Sequence, residues 1–264
     1  MAHGAQHVAI TGASRGIGAA LARAYSAPGR RLALAGRDRS RLEAVAAACR
    51  AAGGEVTTDV FDVRDQEAAA AWFRKIDAAQ PVDLLIANAG VFDGNGADGR
   101  WETAGEAQRL VEINVTGVIN TVLAAQQAMR PRRTGRIAII SSLAAVLPAA
   151  DAPTYSATKA ALVAYADALR ILLASENVGV SVVLPGHVRT RQTEAHVGAL
   201  AMIMEADEAA AIIKRGLERG QAMIAFPRRA HWLVRLASIL PWRLKALATR
   251  GDRFHVHKGG GGPG

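Results

Sequence analysis

From residue 7 to residue 226 the sequence alternates short apolar runs with longer stretches of helical periodicity, and this alternation limits the available folds more than any other feature. HVAIT (7–11), RLALA (31–35), EVTTDV (55–60), VDLLIAN (82–88), GRIAIIS (135–141), VGVSVVLP (178–185) and AMIAF (222–226) read as strands. Helices are expected from about Gly16 to Pro28, over 39–52, 65–79, 105–130 and 207–219, and in the stretch that carries Tyr155. Most of these strands are near-continuous apolar runs, the pattern of a sheet covered on both faces. The expected fold is therefore α/β, a doubly wound parallel sheet with right-handed crossovers. No repeat or interior linker interrupts it. One domain is expected, with residues 1–226 as its body, 227–258 as a C-terminal helical extension, and the low-complexity GGGGPG (259–264) as a flexible tail.

Composition narrows the function classes. Half of the 264 residues are hydrophobic, ample for a core. Cys49 is the single cysteine, which excludes an internal disulfide framework and suits a reducing compartment. The start, MAHGAQHVAITGASRGIG, has neither a charged leader nor a long apolar stretch, and no run is long enough for a spanning helix. A cytoplasmic location is expected. The net charge of +9 sits near the end: from Pro227 onward eight basic residues face one acid, Asp252. With no zinc-finger cysteines and few aromatic residues, nucleic-acid binding is not expected.

TGASRGIG (11–18) lies between the first strand and the first helix, where a doubly wound sheet binds a dinucleotide. Gly12, Gly16 and Gly18 let the backbone approach a pyrophosphate, and the helix N-terminus behind them favours an anion. The second strand ends at Gly36 and is followed by Arg37 rather than by an acid. Arg37, with Ser14 and Arg15 of the glycine loop, suits a 2′-phosphate, so NADP(H) is the expected cofactor. Asp38 reads as the start of the next helix.

YSATK (155–159) places Tyr155 and Lys159 one helical turn apart on one face. A tyrosine hydroxyl is a poor acid or base at neutral pH, and a neighbouring ammonium lowers its pKa.

These motifs, in this order and spacing, resemble the classical short-chain dehydrogenase/reductases, and the resemblance extends from residue 7 to about 226. TGASRGIG resembles that family's cofactor loop, ANAG (87–90) its fourth-strand motif, IN (113–114) its asparagine site, ISS (140–142) its serine site, YSATK its Tyr-x-x-x-Lys, and PGHVRT (185–190) its segment beside the nicotinamide. The resemblance implies a Rossmann-type fold and hydride transfer between a ketone or aldehyde and an alcohol. Tyr155 is then the general acid of reduction and the base in reverse, with Lys159 lowering its pKa and binding the nicotinamide ribose. Ser142 donates to the substrate oxygen, and Asn114 bends its helix and holds a water that links Lys159 to solvent. Ile17 joins the cofactor loop, Asp62 and Val63 meet adenine, and Asn88, Ala89 and Gly90 line the cleft. Pro185 and Gly186 lie beside the nicotinamide, with Val188 and Thr190 at its carboxamide. Homo-oligomerisation through the helices at 105–130 and 154–176 is also implied. An epimerase or dehydratase on the same fold, and a non-catalytic NADP-binding protein, are the alternatives.

Substrate choice falls to two segments, 91–101 and the lid-like 187–204. Leu143, Ala144, Ala145 and Val146, small and apolar, are expected to wall a pocket suited to a hydrophobic carbonyl compound, while His187 reads either as a substrate contact or as polar loop surface. FPRRAHWLVRLASILPWRLKALATR (226–250) mixes apolar and basic residues at helical spacing, with Pro241 dividing it into two short helices. It suits peripheral contact with an anionic membrane, or packing over the pocket or a partner subunit.

Overall fold

The computed structural model describes residues 5–96, 98–190, 196–197, 203–248 and 255–256. Seven parallel strands form one sheet: β1 (His7–Thr11), β2 (Arg31–Gly36), β3 (Glu55–Val60), β4 (Leu84–Ala87), β5 (Arg136–Ile140), β6 (Gly179–Pro185) and β8 (Met223–Phe226). Their order is β3-β2-β1-β4-β5-β6-β8. A two-residue β7 (His196–Val197) pairs antiparallel with β9 (His255–Val256). The helices are α1 (Gly16–Tyr25), α2 (Arg39–Ala51), α3 (Gln66–Ala79), α4 (Ala104–Val111), α5 (Gly117–Met129), α6 (Pro153–Leu173), α7 (Ala206–Glu218), α8 (Arg228–Ser238) and α9 (Trp242–Ala248). The expected doubly wound parallel sheet is present.

Alternate residues along the inner strands point to opposite faces, and each face has its own core. Ala9, Leu85, Ile137 and Val182 meet Trp72, Phe73 and Ile76 of α3, Val118 and Val122 of α5, and Leu162 and Leu169 of α6. Val8, Ile10, Ile86, Ala138 and Val183 meet Leu21 and Tyr25 of α1, Leu42 and Ala46 of α2, and Ile213 and Leu217 of α7. Strand β3 is at an edge, and its side chains alternate in exposure instead of burying both faces.

Local chemistry sets several boundaries. Asp38 caps α2 by accepting from the Arg41 N–H at 3.0 Å, as its position in the sequence predicts. Asp65 caps α3 in the same way. Strand β4 starts two residues later than predicted, and just before it the Asp83 carboxylate accepts from the N–H groups of Gln6 and His7 at 2.7 and 2.9 Å. The helical stretch predicted over 105–130 is two α-helices joined by a π-helical turn at Glu112–Thr116.

The chain crosses from one half of the sheet to the other between β1 and β4. Strand order reverses there, so the carboxyl ends of these two strands flank a crevice open to a ligand.

Candidate active site

A cleft of about 870 Å³ occupies that crevice. Its walls come from the residues that follow each strand: the glycine loop after β1, Arg37 after β2, Asp62 and Val63 after β3, Asn88 to Gly90 after β4, Ser142 after β5, and Pro185 and Gly186 after β6. Tyr155 and Lys159 enter from the first turns of α6, and Val188 and Thr190 from the segment after β6.

The glycine loop is shaped by two close approaches. Gly12 has φ +66°, and a Cβ there would come within 2.8 Å of the Ala89 Cα. A Cβ on Gly18 would fall 2.2 Å from the Gly12 carbonyl oxygen. Asn88 ties the strands on either side of the switch point together, donating from Nδ2 to the carbonyls of Thr11 and Gly12, both at 3.1 Å. The Arg15 side chain at the N-cap makes no cap bond to the first turn of α1, a helix N-terminus whose dipole favours an anion. Ser14 lies against Gly36, which brings the glycine loop to the end of β2. Arg15 and Arg37 line the same cleft. This cradle of bare backbone with arginines beside it fits the phosphates of a dinucleotide.

Asp62 sits among cations. Burial pushes its pKa up, but bonding to Arg64 at 2.8 Å and the charge of Arg37 at 3.7 Å outweigh that and hold it below the ordinary value.

At the other end, Tyr155 is partly open to the cleft and otherwise enclosed, while Lys159 is buried. The Lys159 Nζ stands 5.7 Å from the centre of the Tyr155 ring and donates to the Ile140 carbonyl at 3.2 Å. Burial pulls the Lys159 pKa from 10.5 down to about 8. It pushes the Tyr155 phenol up, and a hydrogen bond with Ser142 pulls it back only in part. The expected depression of Tyr155 by Lys159 is therefore not the dominant effect here, because desolvation of the phenol outweighs it.

Asn114 is fully buried in the π-helical turn. It donates from Nδ2 to the Val91 carbonyl at 2.9 Å and to the Thr158 hydroxyl at 3.2 Å, and it accepts from the Val91 N–H at 2.8 Å. Both amide hydrogens are thus spent, and the side chain braces the loop after β4 against α6. Where the helix was expected to bend at Asn114, the chain forms this π-helical turn. Gly90 lies between Asn114 and Lys159, within 3.3 and 3.4 Å of their polar atoms if given a Cβ.

Leu143, Ala144 and His187, expected at the substrate pocket, are not among the residues lining this cleft. Leu143 is buried in the core because the chain turns into a 3-10 helix at Leu143–Ala145. The Ala144 N–H donates to the Ser142 hydroxyl at 3.1 Å, and the His187 carbonyl accepts from the Met204 N–H at 3.0 Å. That bond and the Arg189–Glu205 ion pair at 2.7 Å tie together the two ends of the lid-like segment. Residues 191–195 and 198–202 of that segment, and the tail 259–264, lie outside the described residues.

Arg41, Arg109, Phe61 and Ile113 also line the cleft and were not predicted. For Arg41 a signal was available, since it belongs to the same basic run, RDRSR (37–41), as Arg37. Arg109 pairs with Asp93 at 3.1 Å across a loop, which spacing alone does not reveal.

A family model described as "short chain dehydrogenase" matches residues 6–199. The chain is 33% identical over 243 residues to an uncharacterized oxidoreductase of Myxococcus xanthus, covering 91% of this chain and 95% of that one. It is 32% identical over 249 residues to a 3-dehydrosphinganine reductase of Arabidopsis thaliana, covering 89% and 72%. Its structure is similar to that of a short-chain dehydrogenase from Sphingobium yanoikuyae in complex with NADPH, with a TM-score of 0.76, 27% identity, and coverage of 97% and 98%. With the Ser142, Tyr155 and Lys159 side chains gathered in the cleft beside the glycine loop, these likenesses place the chain in the short-chain dehydrogenase family of oxidoreductases.

Proposed function

We propose that this chain is an NADP(H)-dependent oxidoreductase that interconverts a ketone or aldehyde and an alcohol, with Tyr155 as general acid and base. The observation that carries the reading is the convergence of Ser142, Tyr155 and Lys159 in the cleft that Arg15, Arg37 and Arg41 also line. When bound, the dinucleotide supplies or accepts the hydride, and the chain supplies position and a proton. Gly12, Ser14, Gly16 and Ile17 would hold the pyrophosphate, and Arg15, Arg37 and Arg41 the 2′-phosphate. Asp62 and Val63 would meet adenine, Asn88, Ala89 and Gly90 the cleft floor, and Pro185, Gly186, Val188 and Thr190 the nicotinamide end.

The proton chemistry follows from burial. Because the phenol is pushed up, Tyr155 is protonated at neutral pH and ready to donate to the oxygen of a carbonyl under reduction. Lys159, near 8, keeps its charge at neutral pH and stabilises the phenolate left behind. Ser142 accepts from the Ala144 N–H and is hydrogen-bonded to Tyr155, and on substrate binding its hydroxyl hydrogen would turn from the phenol to the substrate oxygen. The arrangement suits reduction.

Phe92 stacks edge-on against Tyr155, with ring centres 4.7 Å apart. This apolar neighbour supports a lipophilic carbonyl substrate, as does the relative named for reducing 3-dehydrosphinganine. Exposed Leu123 on α5 and Ile171 and Leu172 on α6 support self-association through these helices. Thermal-shift titration with NADPH and NADH, followed by carbonyl-dependent oxidation of NADPH, tests the reading. Stabilisation by NADPH at far lower concentration than NADH, with turnover on an apolar ketone, is expected. A preference for NADH would overturn the phosphate clamp.

A further inference from the structure

Helix α8 is oriented against the usual rule for a helix on a protein surface. Ala230, Val234 and Ala237, at i, i+4 and i+7, form the less exposed side, and Ala230 is buried where α8 leaves β8. The opposite side presents Trp232, Leu233 and Leu236 to solvent at 64%, 61% and 63% exposure, and Ile239 follows at 75%. After Pro241, Trp242 and Leu244 of α9 are exposed as well. A soluble helix buries its large apolar residues and exposes its small or polar ones. Here the small residues face the protein and the large ones face outward.

Cations are interleaved with this apolar surface. Arg228 and Arg229 precede Trp232 by about one turn, Arg235 flanks Leu236, and Arg243 lies 5.6 Å over the Trp242 ring. Lys245 adds a fifth positive charge, and residues 227–248 contain no Asp or Glu. Among the described residues, Arg228, Arg229, Arg235 and Arg243 form no ion pair with the rest of the chain. A second copy seated here would set like charges against each other. An anionic lipid surface satisfies both components, since its headgroups take the arginines while Trp and Leu enter the acyl boundary. No described helix is long and apolar enough to cross a membrane, so the contact is peripheral.

We propose that α8 and α9 dock this protein on the surface of an anionic lipid bilayer. The helices start beside the catalytic cleft. Pro227 caps α8, and the preceding Phe226 accepts from the N–H of Gly186, a cleft residue, at 2.7 Å.

The test is co-sedimentation of the full-length chain with vesicles of phosphatidylcholine alone, and of phosphatidylcholine mixed with phosphatidylglycerol. Sedimentation with the mixed vesicles only, weakened by high salt, is expected. Two variants are compared, W232S/L236S/I239S and R229E/R235E/R243E. Both alter outward-facing positions, so wild-type circular dichroism is expected, with binding at least roughly tenfold weaker in each. Failure of the wild type to bind mixed vesicles, or wild-type binding by both variants, would overturn the proposal. So would light scattering that shows an oligomer dissociating in the apolar variant, which would make this face a subunit interface. Vesicle binding needs no turnover, so its outcome is independent of the reaction assigned to the cleft.

Discussion

Lys159 lies over Tyr155, with its ammonium nitrogen 5.7 Å from the ring centre, and burial acts on the two groups in opposite senses. Burial disfavours charge, so it keeps the phenol protonated and makes the ammonium readier to lose its proton. The four-residue spacing stacks them on one face of α6, and Gly90 leaves the room that lets Lys159 reach the cleft.

The first consequence is a pH limit. The free enzyme governs kcat/KM. Lys159 is charged below about 8 and neutral above it, and only the charged form stabilises the phenolate. The kcat/KM for carbonyl reduction is therefore expected to fall as pH rises through about 8. A pH–rate profile checks this, and a flat profile through that region would contradict the role given to Lys159.

Tyr155→Phe removes the proposed proton donor and little else. Ser142 loses its bond to the phenol, but it is half-buried and keeps its bond from the Ala144 N–H, so little stability is lost. Turnover is expected to drop by roughly a hundredfold or more, the range of general acid–base catalysis. Melting temperature and NADPH binding are expected to stay near wild type. Steady-state kinetics with a thermal-shift titration separate the two effects.

What the sequence disclosed and what it hid differ by range. The strands, their alternation with helices and the glycine loop were legible because apolar runs, glycine spacing and the Asp38 cap are local signals. The two helices on either side of Pro241 were legible for the same reason. The π-helical turn was legible only as an irregularity at Asn114. Its bonds reach Val91 and Thr158, 23 and 44 residues away, and no local pattern encodes them. Leu143 was expected at the substrate pocket from its position after Ser142, and its burial in a 3-10 turn is a feature that position alone does not reveal. The outward apolar side of α8 was readable as a stripe, but which side met the protein was not.

Arg37→Asp tests the cofactor end. The substitution places a carboxylate where a 2′-phosphate would sit, and it also removes one of the cations near Asp62, which keeps Arg64 at 2.8 Å. A charge-assisted hydrogen bond contributes about 1.5–3 kcal/mol, so the NADPH-over-NADH ratio of kcat/KM should fall by at least roughly tenfold. An unchanged ratio would move the phosphate contact to Arg15 and Arg41.

Gly18→Ala tests the cradle. The added Cβ would lie 2.2 Å from the Gly12 carbonyl oxygen and 2.5 Å from the Asn88 Nδ2, and at least the first is fixed backbone. Overpacking of this kind costs about 1–3 kcal/mol, so the melting temperature should fall. The displaced loop should also lose most of the stabilisation given by NADPH. Thermal melts with and without NADPH read both effects.

Lys159→Met addresses what the buried lysine costs the fold. Its pKa is about 8 in the native state against 10.5 for an unburied lysine, so between these values the unfolded chain binds more protons. Native stability should then rise with pH across that window and stay level below it, where both states are charged. Below about 8 the buried ammonium weighs against folding by roughly 3 kcal/mol, the shift expressed as free energy. Methionine fills a similar volume without the charge. It gives up the bond to the Ile140 carbonyl, which offsets part of the gain. The variant is expected to melt at or above the wild-type temperature at neutral pH, to lose the rise in stability above pH 8, and to have almost no turnover. Denaturant unfolding at neutral and alkaline pH measures the difference. A variant clearly less stable than wild type at neutral pH would mean that the ammonium is held by partners strong enough to repay its burial.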